Sequence, residues 1–263
     1  MVRLWNKGKI FKTEKMINFK NKIILVTGCN GFIGKAIINT FLKFGAKVIG
    51  TDFKKDKSNS KLYHFIKADL NFKSEIKKLH IEILKKTKKI DILINNAGYV
   101  SDSEKKETRK VKYFYNEKYQ NLNLSNTIYL TNLFIPNLQK SKYQSSIINV
   151  CSIYSFLAYD YRLYKNTNIR APMGYGVSKA GLKHYTKLLS TALAPKIRVN
   201  SISPGGIYRK QPREFIKKYI DKTPLSRMGK EQDVVNAIIF FSSDMSSYIT
   251  GQDLIIDGGY SLS

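Results

Sequence analysis

The sequence predicts a single α/β domain, a doubly wound parallel sheet of about seven strands with helices on both faces. Apolar strand-length runs alternate with helix-length segments along most of the 263 residues, as parallel strands joined by crossover helices require. The run Ile23-Ile24-Leu25-Val26 is apolar at every position, as a strand covered on both faces must be. That run enters a glycine-rich turn followed by an apolar helical pattern, the opening of a βαβ unit. The length is enough for one large core and short for two.

In chain order, strands are expected at Lys22–Thr27, Ala46–Thr51, Leu62–Lys67, Ile90–Asn95, Ser145–Cys151, Ile197–Ile202 and Asp253–Asp257. Each is a strand-like apolar run. Helices are expected at about 33–44, 73–87, 116–139, 174–194 and 230–243, the helix-length segments between those runs. No internal repeat and no linker divides the chain, so residues 16–263 are expected to form one domain. Residues 1–15 are lysine-rich without a core pattern. They read as a disordered basic arm, or as residues upstream of a natural start at Met16.

A net charge of +27 would ordinarily suggest a polyanion partner. Lysine, however, outnumbers arginine 38 to 8, and Asn and Ile are also frequent, which fits an A/T-rich genome. The lysines run along the whole chain, and no zinc-finger spacing or RNA-binding signature is present. A specific nucleic-acid function is therefore not expected. No apolar run reaches the roughly 18 residues that span a bilayer. The basic start Met1–Lys7 lacks the following apolar stretch of a signal peptide, so a cytoplasmic protein without membrane insertion is expected. Cys29 and Cys151 read as free thiols of a reduced compartment. No Cys/His cluster has metal-ligand spacing, and His64, His80 and His184 read as structural or surface residues.

In the turn Thr27-Gly28-Cys29-Asn30-Gly31-Phe32-Ile33-Gly34, glycines allow a tight bend, close backbone approach to a pyrophosphate and close helix–strand packing. The following helix N-terminus offers free N–H groups and a positive dipole end. Asp52, 24 residues after Gly28, ends the second strand, where a carboxylate accepts hydrogen bonds from ribose hydroxyls and repels a 2′-phosphate. NAD is therefore the expected cofactor. Lys54 and Lys55 follow at once and leave NADP open. Tyr175 and Lys179, four apart on an expected helix, share one face. An ammonium beside a phenol favours phenolate and lowers its pKa from about 10, which suits acid/base work at a carbonyl or alcohol oxygen.

From about Lys20 to the C-terminus the sequence resembles the short-chain dehydrogenase/reductase family, which implies a Rossmann fold. Asn95-Asn96-Ala97-Gly98 resembles that family's strand-capping and cofactor-contact motif. Ala68-Asp69-Leu70 resembles the segment whose aspartate meets the adenine. Asn200, Pro204-Gly205-Gly206-Ile207 and Tyr248-Ile249-Thr250-Gly251-Gln252 with Asp257-Gly258-Gly259 also match. The resemblance implies a catalytic group of Asn123, Ser152, Tyr175 and Lys179. Tyr175 would be the general acid/base, Ser152 would orient the substrate oxygen, and Lys179 would tune Tyr175 and bond the nicotinamide ribose. Asn123, with Asn121 as its nearby rival, would hold a relay water. Cofactor contacts would come from Gly28, Asn30, Gly31, Phe32, Ile33, Gly34, Asp52, Asp69, Leu70, Asn96, Ala97, Gly98, Tyr175, Lys179, Pro204, Gly205 and Ile207. A homotetramer or homodimer, built partly from helices 116–139 and 174–194, is implied as well.

Two departures narrow the reading. Phe32 stands where most single-domain members have glycine, a spacing similar to the extended branch that acts on nucleotide sugars, yet the chain ends where the shorter branch ends. The Ser152-to-Tyr175 spacing of 23 residues is about ten longer than usual in the family, and a loop there would shape the substrate pocket. The insert holds Tyr154, Tyr159, Tyr161, Arg162, Tyr164, Lys165 and Arg170. It resembles oxidoreductases of bacterial surface-sugar pathways, of the flagellin-modification or legionaminic-acid type. Tyr154, Tyr161 and Arg209 are the expected substrate residues, and a sugar or amino-sugar derivative the expected substrate. Basic residues around Arg209 would suit a phosphorylated or nucleotide-linked sugar. The alternatives are a 3-oxoacyl-thioester reductase and a catalytically idle dinucleotide-binding protein, the latter disfavoured by the intact catalytic set.

Overall fold

Alternate residues of the first strand, β1 (Ile23–Thr27), serve two different cores. Ile24 and Val26 join a cluster with Ile37, Phe41, Val234 and Ile238. Leu25 joins another with Leu93, Leu130, Phe134 and Ile147. Successive strand side chains point to opposite faces, so an all-apolar run must be covered on both sides. The computed structural model describes residues 17–56, 58, 60–100, 117–167 and 172–263, and the expected arm at 1–15 lies outside them, as does Arg170.

The other strands are β2 (Lys47–Asp52), β3 (Tyr63–Lys67), β4 (Ile92–Asn95), β5 (Ser145–Val150), β6 (Ile197–Pro204) and β7 (Asp253–Ile256). They form one parallel sheet in the order β3-β2-β1-β4-β5-β6-β7. Helices α1 (Phe32–Lys43) and α7 (Glu231–Ser242) cover one face. The other is covered by α2 (Lys73–Lys86), α4 (Asn126–Gln139) and α5 (Met173–Leu193). The chain winds outward from β1 to β3 and then returns to β4 on the other side of β1. Ligands of such sheets bind at this reversal, beyond the carboxyl ends of the strands.

The seven expected strands lie within two residues of those observed, and two features depart from the expected elements. The helix expected over 116–139 contains α3 (Glu117–Gln120), a π-helical turn at Asn121–Ser125, and then α4. Thr127 Oγ1 donates to the Leu122 carbonyl at 2.8 Å, an i→i−5 bond that occupies a carbonyl of the widened turn. The second departure is α6 (Arg213–Asp221), which is not among the expected helices. It is short and largely charged, and its apolar Phe215 and Tyr219 face a third cluster with Ile153, Leu163, Met228 and Tyr260.

That third cluster joins the long Ser–Tyr insert to α6 and the C-terminal turn. The insert coils into 3-10 turns at Ile153–Ser155 and Tyr161–Tyr164. Asp160 accepts from Arg162 Nε at 2.9 Å and from Lys222 Nζ at 2.7 Å, tying the insert to the end of α6. Hydrogen bonds from Arg162 and then Lys222 hold the Asp160 carboxyl well below the usual carboxylate range. Among the described residues, no helix is long and apolar enough to cross a membrane.

Candidate active site

The glycine turn fits a dinucleotide on grounds of space. Gly28 sits at φ +65°, and a Cβ there would lie 2.8 Å from Ala97 Cα. A Cβ on Gly34 would collide with the Gly28 carbonyl oxygen, so α1 can begin this close to the turn only on a glycine. Gly31 is the N-cap of α1, and no acidic side chain stands in the first helical turn. The leading N–H groups of the helix lack intrahelical acceptors and are oriented for an anion.

Asp52 is built into this turn. Its Oδ2 accepts the Asn30 N–H at 3.0 Å and its Oδ1 the Lys54 N–H at 3.1 Å. Asn30 Nδ2 donates to the Lys54 carbonyl at 2.8 Å, closing the loop between the two strand ends. A carboxylate oxygen has two acceptor sites, so both retain capacity for ribose hydroxyls.

Across the reversal, Asn96 Nδ2 donates to the carbonyls of Thr27 and Gly28, both at 3.0 Å. Thr27 Oγ1 accepts the N–H groups of Asn96 and Ala97 at 3.1 and 3.0 Å. Thr27 was not among the expected site residues, although its place directly before Gly28 is a usable signal. Asn95 supports this edge from below through Asn149 and Thr131, at 2.8 and 2.9 Å. Asp69 accepts from the N–H of Asn71, and Leu70 is buried beside it with its carbonyl bound to Asn126. Pro204 and Gly205 sit at the end of β6, where the Gly205 N–H reaches the Ile256 carbonyl at 2.9 Å.

Ser152 lies two residues beyond the end of β5 and Tyr175 in the first turn of α5, so both reach the carboxyl edge of the sheet. Ser152 Oγ accepts the Tyr154 N–H at 3.2 Å, and its own O–H is the proton it donates toward Tyr175. Burial pushes the Tyr175 phenol up to about 12, while hydrogen bonding with Ser152 pulls the other way. Lys179 Nζ lies 5.8 Å from the Tyr175 ring centroid and donates to the Val150 carbonyl at 2.7 Å. Burial holds its pKa below the usual lysine value. The expected depression of Tyr175 by Lys179 is therefore not the dominant effect; desolvation of both groups is.

The π-helical turn places Asn123 wholly inside and leaves Asn121 exposed. Asn123 Oδ1 accepts the Tyr99 N–H at 2.7 Å, and Nδ2 donates to Tyr99 O at 3.1 Å and Ser178 Oγ at 3.2 Å. A Cβ on Gly98 would lie 3.5 Å from Lys179 Nζ and 3.6 Å from Asn123 Oδ1. The two groups flank the space that glycine leaves. Cys151 lies beneath, its thiol pushed up to about 12 by burial, which makes it a poor nucleophile.

The three expected substrate residues have different surroundings. Tyr154 shares its hydroxyl with Tyr164 at 3.0 Å and packs on the Tyr159 ring at 4.0 Å, so it builds the wall of the insert. Tyr161 is 61% exposed. Arg209 places its guanidinium carbon 5.0 Å from the Phe32 ring centroid, beside the glycine turn. Ile207, buried, pairs with Gly229 and anchors this loop.

Residues 30–261 match a family model described as enoyl-(acyl carrier protein) reductase. A 3-oxoacyl-[acyl-carrier-protein] reductase FabG of Buchnera aphidicola subsp. Schizaphis graminum is 33% identical over 260 residues, covering 92% of this chain and 98% of its own. Post-translational flagellin modification protein A of Campylobacter coli is 31% identical over 265 residues, covering 92% of this chain and 99% of its own. A solved short chain dehydrogenase of Leptospira borgpetersenii serovar Hardjo-bovis with bound NAD+ superposes with a TM-score of 0.85. It is 33% identical and covers 99% of this chain and 100% of that one.

Proposed function

Because this chain belongs to the short-chain dehydrogenase/reductase family, oxidoreductases of CH–OH groups, we propose that it interconverts an alcohol and a ketone with Tyr175 as general acid/base. The observation that carries the reading is the meeting of Ser152 and Tyr175 beside Lys179, at the sheet edge next to the glycine turn. A nicotinamide dinucleotide, when bound, supplies or accepts the hydride. Ser152 turns its O–H from Tyr175 to the substrate oxygen and orients it. Tyr175 gives the proton to that oxygen in reduction and takes it in oxidation. Lys179 Nζ lies 5.8 Å from the phenol ring centroid, and an ammonium there favours phenolate as the proton leaves. A water held between Lys179 and Asn123, over Gly98, would connect the lysine to solvent.

Asp52 favours NAD, since its carboxylate would repel a 2′-phosphate. The proposed substrate is a sugar or amino-sugar derivative, supported by the built-up insert and by the likeness to the flagellin modification protein. A 3-oxoacyl-thioester reductase is the second reading, favoured by the likeness to the Buchnera enzyme. Assembly as a homodimer or homotetramer is supported by Val177 and Leu188, apolar and exposed on α5; light scattering is expected to return twice or four times the chain mass.

Tyr175→Phe is expected to abolish turnover and retain NAD binding. Turnover within about tenfold of wild type would remove the acid/base role. A panel of hexoses and amino sugars with NAD, set against a 3-oxoacyl thioester with NADPH, separates the two substrate readings. A tenfold preference for NADP in kcat/KM would overturn the role given to Asp52.

A further inference from the structure

We propose that Arg209 grips the pyrophosphate of the dinucleotide, held over Phe32 by a turn that Gln211 clasps. The inference rests on the dinucleotide reading above and assigns Arg209 to the cofactor where the sequence had suggested the substrate.

Phe32 is the first residue of α1 and is 64% exposed. It therefore belongs to the turn of the helix whose N–H groups are free. A guanidinium stacked on the Phe32 ring uses its face, and its N–H edge stays free for the two oxygens of a phosphate. Among the described residues no carboxylate pairs with Arg209, although several other surface cations have such partners. The first turn of α1 holds no acidic side chain to compete for it.

The loop that presents Arg209 is preformed. Gln211 Oε1 accepts the Arg209 N–H at 2.7 Å, and Gln211 Nε2 donates to the Ile207 carbonyl at 2.7 Å. Lys210 between them takes a left-handed backbone at φ +58°, the sharp bend that lets one side chain clasp both sides. The Tyr208 N–H reaches the Gly229 carbonyl and the Gly229 N–H the Gly206 carbonyl, each at 2.9 Å. The strap is thus fixed at its base and bent over the phosphate turn. The Arg209 charge is also felt at Tyr175, where it favours phenolate. Arg209 therefore stands between the glycine turn and the acid/base centre, along the path a dinucleotide must take. A ligand with adjacent phosphates meets the helix N-terminus on one side and the guanidinium on the other.

Dissociation constants of NADH, ADP and adenosine, measured by calorimetry on the full chain, test this. Wild type is expected to bind NADH. Arg209→Ala is expected to weaken NADH and ADP about tenfold or more and to leave adenosine within about twofold, since adenosine lacks the phosphates. Arg209→Lys keeps the charge but not the fork and is expected to recover only part of the loss. Gln211→Ala, which removes only the clasp, is expected to weaken ADP less than Arg209→Ala and to spare adenosine. Equal loss of adenosine and ADP in Arg209→Ala would indicate a structural role and overturn the proposal. So would unchanged NADH and ADP binding with a raised KM for the carbonyl substrate, which would return Arg209 to the substrate. Wild-type protein that binds neither NADH nor NADPH would sink the dinucleotide reading itself, a result distinct from binding that ignores Arg209.

Discussion

At Tyr175 the electrostatics decide the direction of the pH dependence. Burial raises the phenol to about 12, against hydrogen bonding with Ser152 and the Arg209 charge, which lower it. Oxidation of an alcohol needs the phenolate, whose fraction grows about tenfold per pH unit below the pKa. The oxidation rate is therefore expected to climb with pH through the neutral and alkaline range. Reduction of a ketone needs the neutral phenol and is expected to stay level until the phenol ionises. Initial rates in both directions between pH 6 and 10 check this (about two units either side of neutral-to-alkaline working pH). A flat oxidation profile would show that proton transfer from the substrate is not carried by Tyr175. The tyrosine and lysine were legible from their spacing. Their pKa order was not, because it depends on how much water the packed site excludes.

Among the elements, the Ser–Tyr insert and α6 behave as one cap. Leu163 from the insert and Phe215 and Tyr219 from α6 share one cluster with Tyr260, and the Tyr219 and Tyr260 rings stack at 4.5 Å. Asp160 with Lys222 is the polar tie, with side chains 15% and 30% exposed. The folded-state pKa of Asp160 is depressed, so its contribution is present above the unfolded value of about 3.9 and is lost as pH falls through the folded one. Asp160→Asn is expected to cost about 1 kcal/mol at neutral pH, about 2 to 4 °C in Tm. It should raise KM more than it lowers kcat, because the cap loosens without touching Ser152 or Tyr175. Steady-state kinetics and thermal unfolding check both parts; an unchanged KM would mean that the cap does not line the substrate pocket. The insert was visible as excess length between two motifs. Its docking was not, since the surface that covers Phe215 and Tyr219 of α6 is assembled only by the fold.

For the molecule as a whole, a net charge of +27 makes self-repulsion a term in stability. Raising ionic strength from about 0.01 to 0.1 M shortens the screening length from about 30 to about 10 Å. Tm is expected to rise over that interval, and any polyanion binding to fade. A Tm that falls with salt would show that the ion pairs, not the excess cations, dominate. The buried pairs change little, because Lys183 with Asp253 lies largely out of water.

The strands, the glycine turn, Asp52 and the Tyr175–Lys179 spacing are all legible in the sequence. These follow from local properties: an all-apolar run, glycines at a bend, and a helix period that puts residues four apart on one face. Which side chains are free to act is not legible there. The π-helical turn that buries Asn123 and exposes Asn121, the Tyr154–Tyr164 hydroxyl contact and the seat of Arg209 over Phe32 were decided by tertiary structure. Each depends on what another part of the chain brings opposite, and the same is true of Tyr175, whose acidity is set by the dielectric of the packed site.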